Sequence, residues 1–315
     1  GSGTTIMSYA GTCHDIQGFR DMLFHTISYQ EIKTFSVSGG GNACPVTTNT
    51  GNTAPNVNAG AGGFIIPINT PFKLTGSGSD PDADAVTFSW EEFDLGPQGH
   101  PNTPAGTAPI FRSFPPVNNP SRTFPQLSDI LANTQTMGEI LPSYGRALNF
   151  RLTARDNRAN GGGVEYSSMS MTVDGAKGPF AVTAPNSFVS WCPGPHTVTW
   201  SVNGSDALAA NVNILLSTNG GTTFPITLLA GTPNDGSQSV NIPCTYSTQA
   251  RIKVEAVGNV FFDISNANIT VGDNTKPTFT VPANVIIYKD ANCNYNASTA
   301  ITGDVLNEAD NCDIS

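Results

Sequence analysis

Between Ala85 and Glu92 the chain reads AVTFSWEE, and the period of that stretch leaves little choice of local structure. Val86, Phe88 and Trp90 alternate with Thr87, Ser89 and Glu91, so an extended strand puts the apolar residues on one face and the polar ones on the other. A helix would scatter the same residues around its circumference. The alternation returns in ALNFRLTAR, with Leu148, Phe150 and Leu152 directed inward. HTVTWSVNG, NVNILLSTNGG, QSVNIPC and RIKVEAVGNVFFDIS then follow at the spacing of successive sandwich strands, with a hairpin-type turn at NGG. Trp90, Trp200 and Phe262 are expected in the cores.

Composition agrees with many short strands and turns. Gly and Pro number 32 and 23, and charged residues make up 12% of 315, about half the usual share. A helical pattern stands out only near the start, where Phe19, Leu23, Phe24, Ile27 and Ile32 recur at three- to five-residue intervals and predict one helix. Composition shifts divide the chain into residues 1–45, a Gly/Thr/Asn-rich linker 46–55, a sandwich 56–175, a second sandwich 176–272 and the truncated start of a third module, 273–315. The predicted class is mainly β, with tandem sandwiches behind a small, partly helical N-terminal piece. The later joints are short and contain Pro, so they are expected to be stiffer than the first.

Several functions are excluded early. The net charge is −10 and no basic run exists, which rules out nucleic acid as a main partner. No apolar run approaches the ~20 residues that span a bilayer, so membrane insertion is not expected. The six cysteines show no C-x-x-C spacing and suit disulfides in a secreted or cell-surface protein. Sequence alone leaves their connectivity open. Pairs confined to one module, Cys13–Cys44, Cys192–Cys244 and Cys293–Cys312, are the expectation, each contributing roughly 2–4 kcal/mol.

Two stretches offer binding chemistry. Asp80, Asp82 and Asp84 in SDPDADAVTFSW place three carboxylates two apart in a loop, and their mutual repulsion makes them a candidate calcium site. An EF-hand is excluded, because Ala85 takes the sixth position, where glycine is needed, and a strand follows. The competing reading is a polar turn whose Asp side chains cap backbone N–H groups. The second stretch is the Pro-rich insertion from about Gly96 to Arg146. Phe111, Arg112, Phe114, Arg122, Phe124 and Tyr144 are aromatic and cationic anchors of the kind that bind a protein or cell-surface partner, or a second copy in self-assembly. Against this stands a loop that only covers an open sheet edge.

Taken in order, long segments resemble bacterial reprolysin-like zinc metallopeptidases of the metzincin clan with trailing immunoglobulin-like (Ig-like) modules. GSGTTIMSYAGTC resembles the Met-turn, with Met7 as its methionine, and FRDMLFHTISYQEI is similar to the closing helix of that catalytic domain. The stretch from PNVNAGAGGF to FDLGPQG resembles an Ig-like module of the PKD type, and RIKVEAVGNVFFDISNANITV the end of a second one. DNTKPTFTVPANVIIYKDANCNYNAS looks like the opening of a hyalin-repeat-type module. The resemblance implies that Met7 lies beneath a zinc site without binding the metal.

The zinc motif itself, H-E-x-x-H-x-x-G-x-x-H, is absent. His14, His25, His100 and His196 include no i, i+4 pair. In the family the zinc helix precedes the Met-turn, so zinc is expected in the parent protein only, held upstream of Gly1. The chain is then expected to be the non-catalytic C-terminal portion of a secreted metallopeptidase, with residues 1–45 a unit distinct from the sandwiches. The alternative is a stretch of a large bacterial surface adhesin or filament protein with a degenerate metzincin-like domain.

Overall fold

The computed structural model describes residues 3–11, 16–273, 276–310 and 312. Near its start lie the helix α1, Thr26–Lys33, a π-helical turn, Thr34–Ser38, and a 3-10 turn, Gly40–Asn42. The helix is shorter than the apolar spacing predicts. His25 caps it, its Nδ1 accepting from the Ile27 amide at 3.2 Å. Before His25 the backbone is already engaged, because Asp21 N donates to Thr4 O and Ile6 N donates to Leu23 O, and these bonds compete with a helical turn. Of the predicted face only Leu23 is buried; Phe19, Phe24, Ile27 and Ile32 are exposed.

The first sandwich contains β1 (Asn56–Asn58), β2 (Ile65–Pro67), β3 (Phe72–Thr75), β4 (Ser77–Ser79), β5 (Thr87–Glu92), β6 (Ser121–Phe124), α2 (Leu127–Ala132), β7 (Arg146–Arg155) and β8 (Val164–Asp174). One sheet runs β2-β8-β7-β5, with β2 parallel to β8, and it faces the pairs β1-β4 and β3-β6. The alternation sets the packing: Leu148, Phe150, Leu152 and Ala154 of β7 are fully buried, opposite Phe88 and Trp90 of β5. Phe72, Phe111, Phe124 and Phe150 close one end with ring centroids 4.8–6.2 Å apart. The Pro-rich insertion therefore supplies a core strand, β6, whose SRTF sequence shows no alternation of its own.

The second sandwich contains β9 (Ala181–Ala184), β10 (Ser190–Trp191), β11 (Gly194–Ser201), β12 (Asn211–Ser217), β13 (Ile226–Pro233), β14 (Ser237–Ile242), β15 (Ser247–Ala256), β16 (Phe262–Ile264) and β17 (Ile269–Val271). The sheet β14-β11-β9 faces β10-β17-β15-β12-β13. First, second and fifth principal strands share one sheet, and third, sixth and seventh share the other, which is the Ig-type arrangement. In the first sandwich β5, β7 and β8 likewise share one sheet, opposite the pairs β1-β4 and β3-β6. Trp90, Trp200 and Phe262 are each 3% exposed. The two indole N–H groups are satisfied, by Pro120 O and Asn234 Oδ1, each at 2.8 Å. The chain is mainly β, with tandem Ig-like sandwiches.

The two sandwiches share one apolar cluster. Lys73 N donates to Val260 O and Phe262 N to Pro71 O, both at 2.9 Å, around a bridge between Phe72 and Phe261. Phe261 packs edge-on to Phe180 with centroids 5.3 Å apart. Asn259 Nδ2 donates to Ile65 O, and Asn133 Nδ2 to Asn266 O. At the joint Gly178 has φ +102°, and a Cβ there would lie 2.6 Å from Ile68 O, so only glycine fits.

The final residues form β18 (Thr278–Thr280), α3 (Thr299–Thr302) and β19 (Leu306–Ala309), with β18 paired to β19. The disulfide among the described residues joins Cys244 to Cys312, across the predicted module boundary. It overturns the expected pairs Cys192–Cys244 and Cys293–Cys312. The reason is tertiary: the last strand returns its end to the loop after β14, with the two Cα atoms 5.5 Å apart, inside bridging range. Cys44 and Cys293 are exposed thiols. Cys13, the expected partner of Cys44, lies outside the described residues.

Candidate functional site: the covered face of the first sandwich

The polar face of β5, β7 and β8 ought to be wet, since its side chains alternate with the core. Residues 3–11 and 16–33 lie across it instead. Glu91, Thr153 and Ser89 are 0%, 0% and 5% exposed as a result. Glu91 organises the contact. Its Oε1 accepts from Thr26 N and from Ser113 Oγ, both at 3.3 Å, and its Oε2 from Thr153 Oγ1 at 2.9 Å. A carboxylate facing the first amide of α1 also meets the positive end of the helix dipole. His25 Nε2 lies 3.2 Å from Glu92 O and 4.0 Å from Glu91 Oε1. Further along, Tyr29 OH donates to Val164 O, Arg155 Nη2 to Phe24 O at 3.3 Å, and Lys33 pairs with Glu165 at 2.8 Å. Arg151 lies between the rings of Phe93 and Tyr166, 3.5 and 4.1 Å from their centroids.

Residues 46–55 do not behave as a free linker either. Asn52 Nδ2 donates to Asp156 Oδ2 at 2.7 Å, and Thr53 N to Asp82 Oδ2 at 2.6 Å.

Beside this contact a cleft of about 640 Å³ opens between the N-terminal segment and the insertion, lined by Met7, Tyr9, His25, Leu95, Pro101 and Arg112 among others. That volume suits a small molecule or a few peptide residues. Its charged floor is already committed. Glu92 Oε2 accepts from the amides of Ile110 and Phe111, both at 2.7 Å, and its Oε1 from Arg146 Nη2 at 3.3 Å. Arg146 also reaches Ala108 O and Asp94. These groups fasten the insertion to the sheet rather than face a substrate. Met7 sits in a turn closed by Ser8 N donating to Thr5 O at 3.0 Å, and it is 68% exposed on the rim. Among the described residues, the group of His, Cys, Asp and Glu side chains placed closely enough to hold a metal ion is Asp80, Asp82 and Asp84; His25 stands outside it.

Burial pushes the Glu92 carboxyl up to about 8, against the two amide bonds that favour its ionised form. Burial likewise raises Glu139 to about 7 despite Arg122 at 2.7 Å, and Asp263 to about 7. For these three the folded value exceeds the unfolded one. Their contribution is therefore fully present below the unfolded carboxylate range and is lost as pH rises through 7–8. Asp156 acts oppositely: burial works to raise it, but bonds from Asn52, Arg158 and Gly163 hold it below its ordinary value, so its contribution is lost in acid. Thermal denaturation followed by circular dichroism should show Tm falling by several degrees between pH 5 and pH 8.5. A Tm that rises over that window would contradict the assignment.

The predicted interface residues separate. Phe111 and Phe124 are 4% and 0% exposed and belong to the core, so they are not contact residues. Arg122 stacks over Phe114 and Phe124, at 4.7 and 4.3 Å, while pairing with Glu139. Arg112 stacks over Phe114 at 4.9 Å, bonds Gln17 and reaches Asp21. Tyr144 OH donates to Gly106 O. Aromatic and cationic side chains interleave here to bind the insertion down, and the sequence carries no sign that separates this use from a surface one. The anchoring roles of Glu91 and Glu92 leave no mark in the sequence beyond a pair of acids ending an apolar-alternating strand.

The acidic loop is assembled as a turn. Asp80 Oδ1 accepts from the amides of Asp82 and Asp84, at 2.8 and 3.2 Å. One oxygen of each of the three carboxylates lies within 4.8 Å of the others. Asp80 Oδ2 and Asp84 Oδ2 are buried without a hydrogen-bond partner. Arg158 Nη1 stands 3.9 Å from both Asp82 and Asp84, so the loop has partial charge compensation already.

No protein-family model matches the chain, and no curated protein sequence matches it. Solved structures similar to it include the fibronectin(III)-like modules of Clostridium thermocellum CbhA, at 12% identity over 69% of this chain and 94% of that one, TM-score 0.23. The titin domains Z1Z2 in complex with telethonin match at 11% identity over 71% and 99%, TM-score 0.23. The Ig1-2 module of the Drosophila receptor protein tyrosine phosphatase DLAR matches at 9% identity over 70% and 100%, TM-score 0.32. At such scores the superpositions carry no argument, and the Ig-like assignment rests on the strand order.

Proposed function

We propose that this chain is a non-catalytic, load-transmitting part of a secreted or cell-surface protein, in which two Ig-like sandwiches joined as one stiff body hold neighbouring units at a fixed distance and offer contact surface to a protein or cell-surface partner. The observation that carries the reading is the joint, where main-chain hydrogen bonds and a continuous apolar core replace a free linker. Small-angle scattering on the full chain tests it: one rigid arrangement of residues 56–272 should fit the profile. A profile that needs a broad distribution of sandwich orientations would falsify it.

The parent is read as a reprolysin-like zinc metallopeptidase whose zinc site lies outside this chain. The resemblance around Met7 and the turn that holds it support this origin. The docking of residues 3–11 and 16–33 on the sandwich weighs the other way, towards a segment that now serves as part of the spacer. Exposed Phe19, Met22, Phe35, Ile286 and Tyr288 favour the second reading, an adhesin or filament segment that meets further protein at both ends.

Within this reading Asp80, Asp82 and Asp84 hold a calcium ion, supported by the two unpartnered carboxylate oxygens. Metal analysis after dialysis against calcium and zinc should return one calcium per chain and no zinc. Calorimetric titration should lose its calcium signal in Asp84→Asn. Wild-type protein without a calcium signal would make the loop a plain turn.

A further inference from the structure

The two joints of this chain are built differently. Between the sandwiches, cohesion is spread over several main-chain bonds and ring contacts. Beyond Gly272 a disulfide cross-links the described residues to the second sandwich. Every residue of β18 and β19 is exposed, and Phe279, Val281, Ile286 and Tyr288 show more than half of their surface. Among the described residues, those from 276 to 310 form hydrogen bonds with one another: Thr278 Oγ1 with Ala309 O, Asn307 Nδ2 with Thr280 Oγ1, and the Asp290–Asn294 turn. Such a hairpin has little buried surface to fix its orientation. Among the described residues, Cys244–Cys312 ties it covalently to the second sandwich, closing a separation of 68 residues. Cys244 is exposed on the loop after β14, where a thiolate can reach the bond.

We propose that Cys244–Cys312 is a redox-set joint: oxidised, it clamps the C-terminal hairpin against the second sandwich; reduced, it lets the hairpin swing while both sandwiches stay folded. The chemistry is a two-electron exchange. A dithiol reductant gives two electrons and two protons, the S–S bond breaks, Cys244 and Cys312 become thiols, and the reductant closes to its own disulfide. The inference goes beyond the spacer reading and does not depend on the origin of residues 1–45.

The test is digestion of the full chain by subtilisin with and without dithiothreitol, with small-angle scattering alongside. Reduction should speed cleavage between residues 272 and 290 about tenfold and widen the distribution of molecular dimensions, with Tm of the sandwiches unchanged. Cys244→Ser should behave as reduced protein without reductant, and Cys293→Ser as wild type. Mass spectrometry of unreduced peptides should find Cys244 linked to Cys312. Cleavage that is indifferent to a bond shown to be broken would overturn the proposal, as would Cys312 linked to Cys293.

Discussion

Glu91→Ala should release residues 16–33 from the first sandwich and cost roughly 3–5 kcal/mol, the range for leaving buried partners of a carboxylate uncompensated. Glu91 is fully buried and receives the Thr26 amide, the Ser113 hydroxyl and the Thr153 hydroxyl at once. Arg151 stands directly across from it on β7. Removing the carboxylate strips acceptors from all three donors under a segment that keeps them from water. Urea denaturation measures the loss, and trypsin cleavage after Arg20 and Lys33 measures the release. Glu91→Gln, which keeps one acceptor oxygen, should fall between wild type and alanine in both. A Glu91→Ala protein with wild-type stability and an uncut N-terminal segment would show that the contact is incidental.

Phe261→Ala should lower stability by roughly 3–5 kcal/mol and also uncouple the sandwiches. Phe261 is 1% exposed, bridges to Phe72 and packs edge-on to Phe180. Its loss opens a cavity at the joint, where the main-chain bonds of Lys73 and Phe262 depend on close approach. The expected result is a denaturation curve that splits into two transitions and a scattering profile that needs hinge motion. Phe124→Ala, equally buried but inside the first sandwich, should destabilise without uncoupling. If both variants melt in a single step with unchanged dimensions, the joint is not what makes this pair of sandwiches stiff. This experiment separates the spacer reading from the redox joint, since the two act at opposite ends of the second sandwich.

How much of this was legible in the residues depends on the range of the interaction. Strand alternation acts between neighbours two apart, so β5, β7 and the strands of the second sandwich could be read directly, as could the burial of Trp90 and Trp200. The short strand β6 could not be read, because SRTF earns its place from pairing with Phe72–Thr75 and not from a pattern of its own. Apolar spacing predicts a longer N-terminal helix than forms for a related reason: Thr4 and Ile6 take the backbone partners that another helical turn would need.

The site shows the same division more sharply. Asp80, Asp82 and Asp84 lie within five residues, so their convergence is a property of the loop and was visible. Glu91 acquires its role only when Thr26 arrives from 65 positions away. Cys312 finds Cys244 instead of Cys293 because the last strand returns to the second sandwich. The sequence by itself determined the mainly β class, the two repeated sandwiches and their inward-facing residues, since these follow from side-chain alternation along single strands. Only the tertiary structure decided that a polar face is roofed, that two cores fuse at Phe72 and Phe261, and which cysteines join. Those outcomes depend on distances between residues far apart in the chain, which local hydrophobic patterning does not encode.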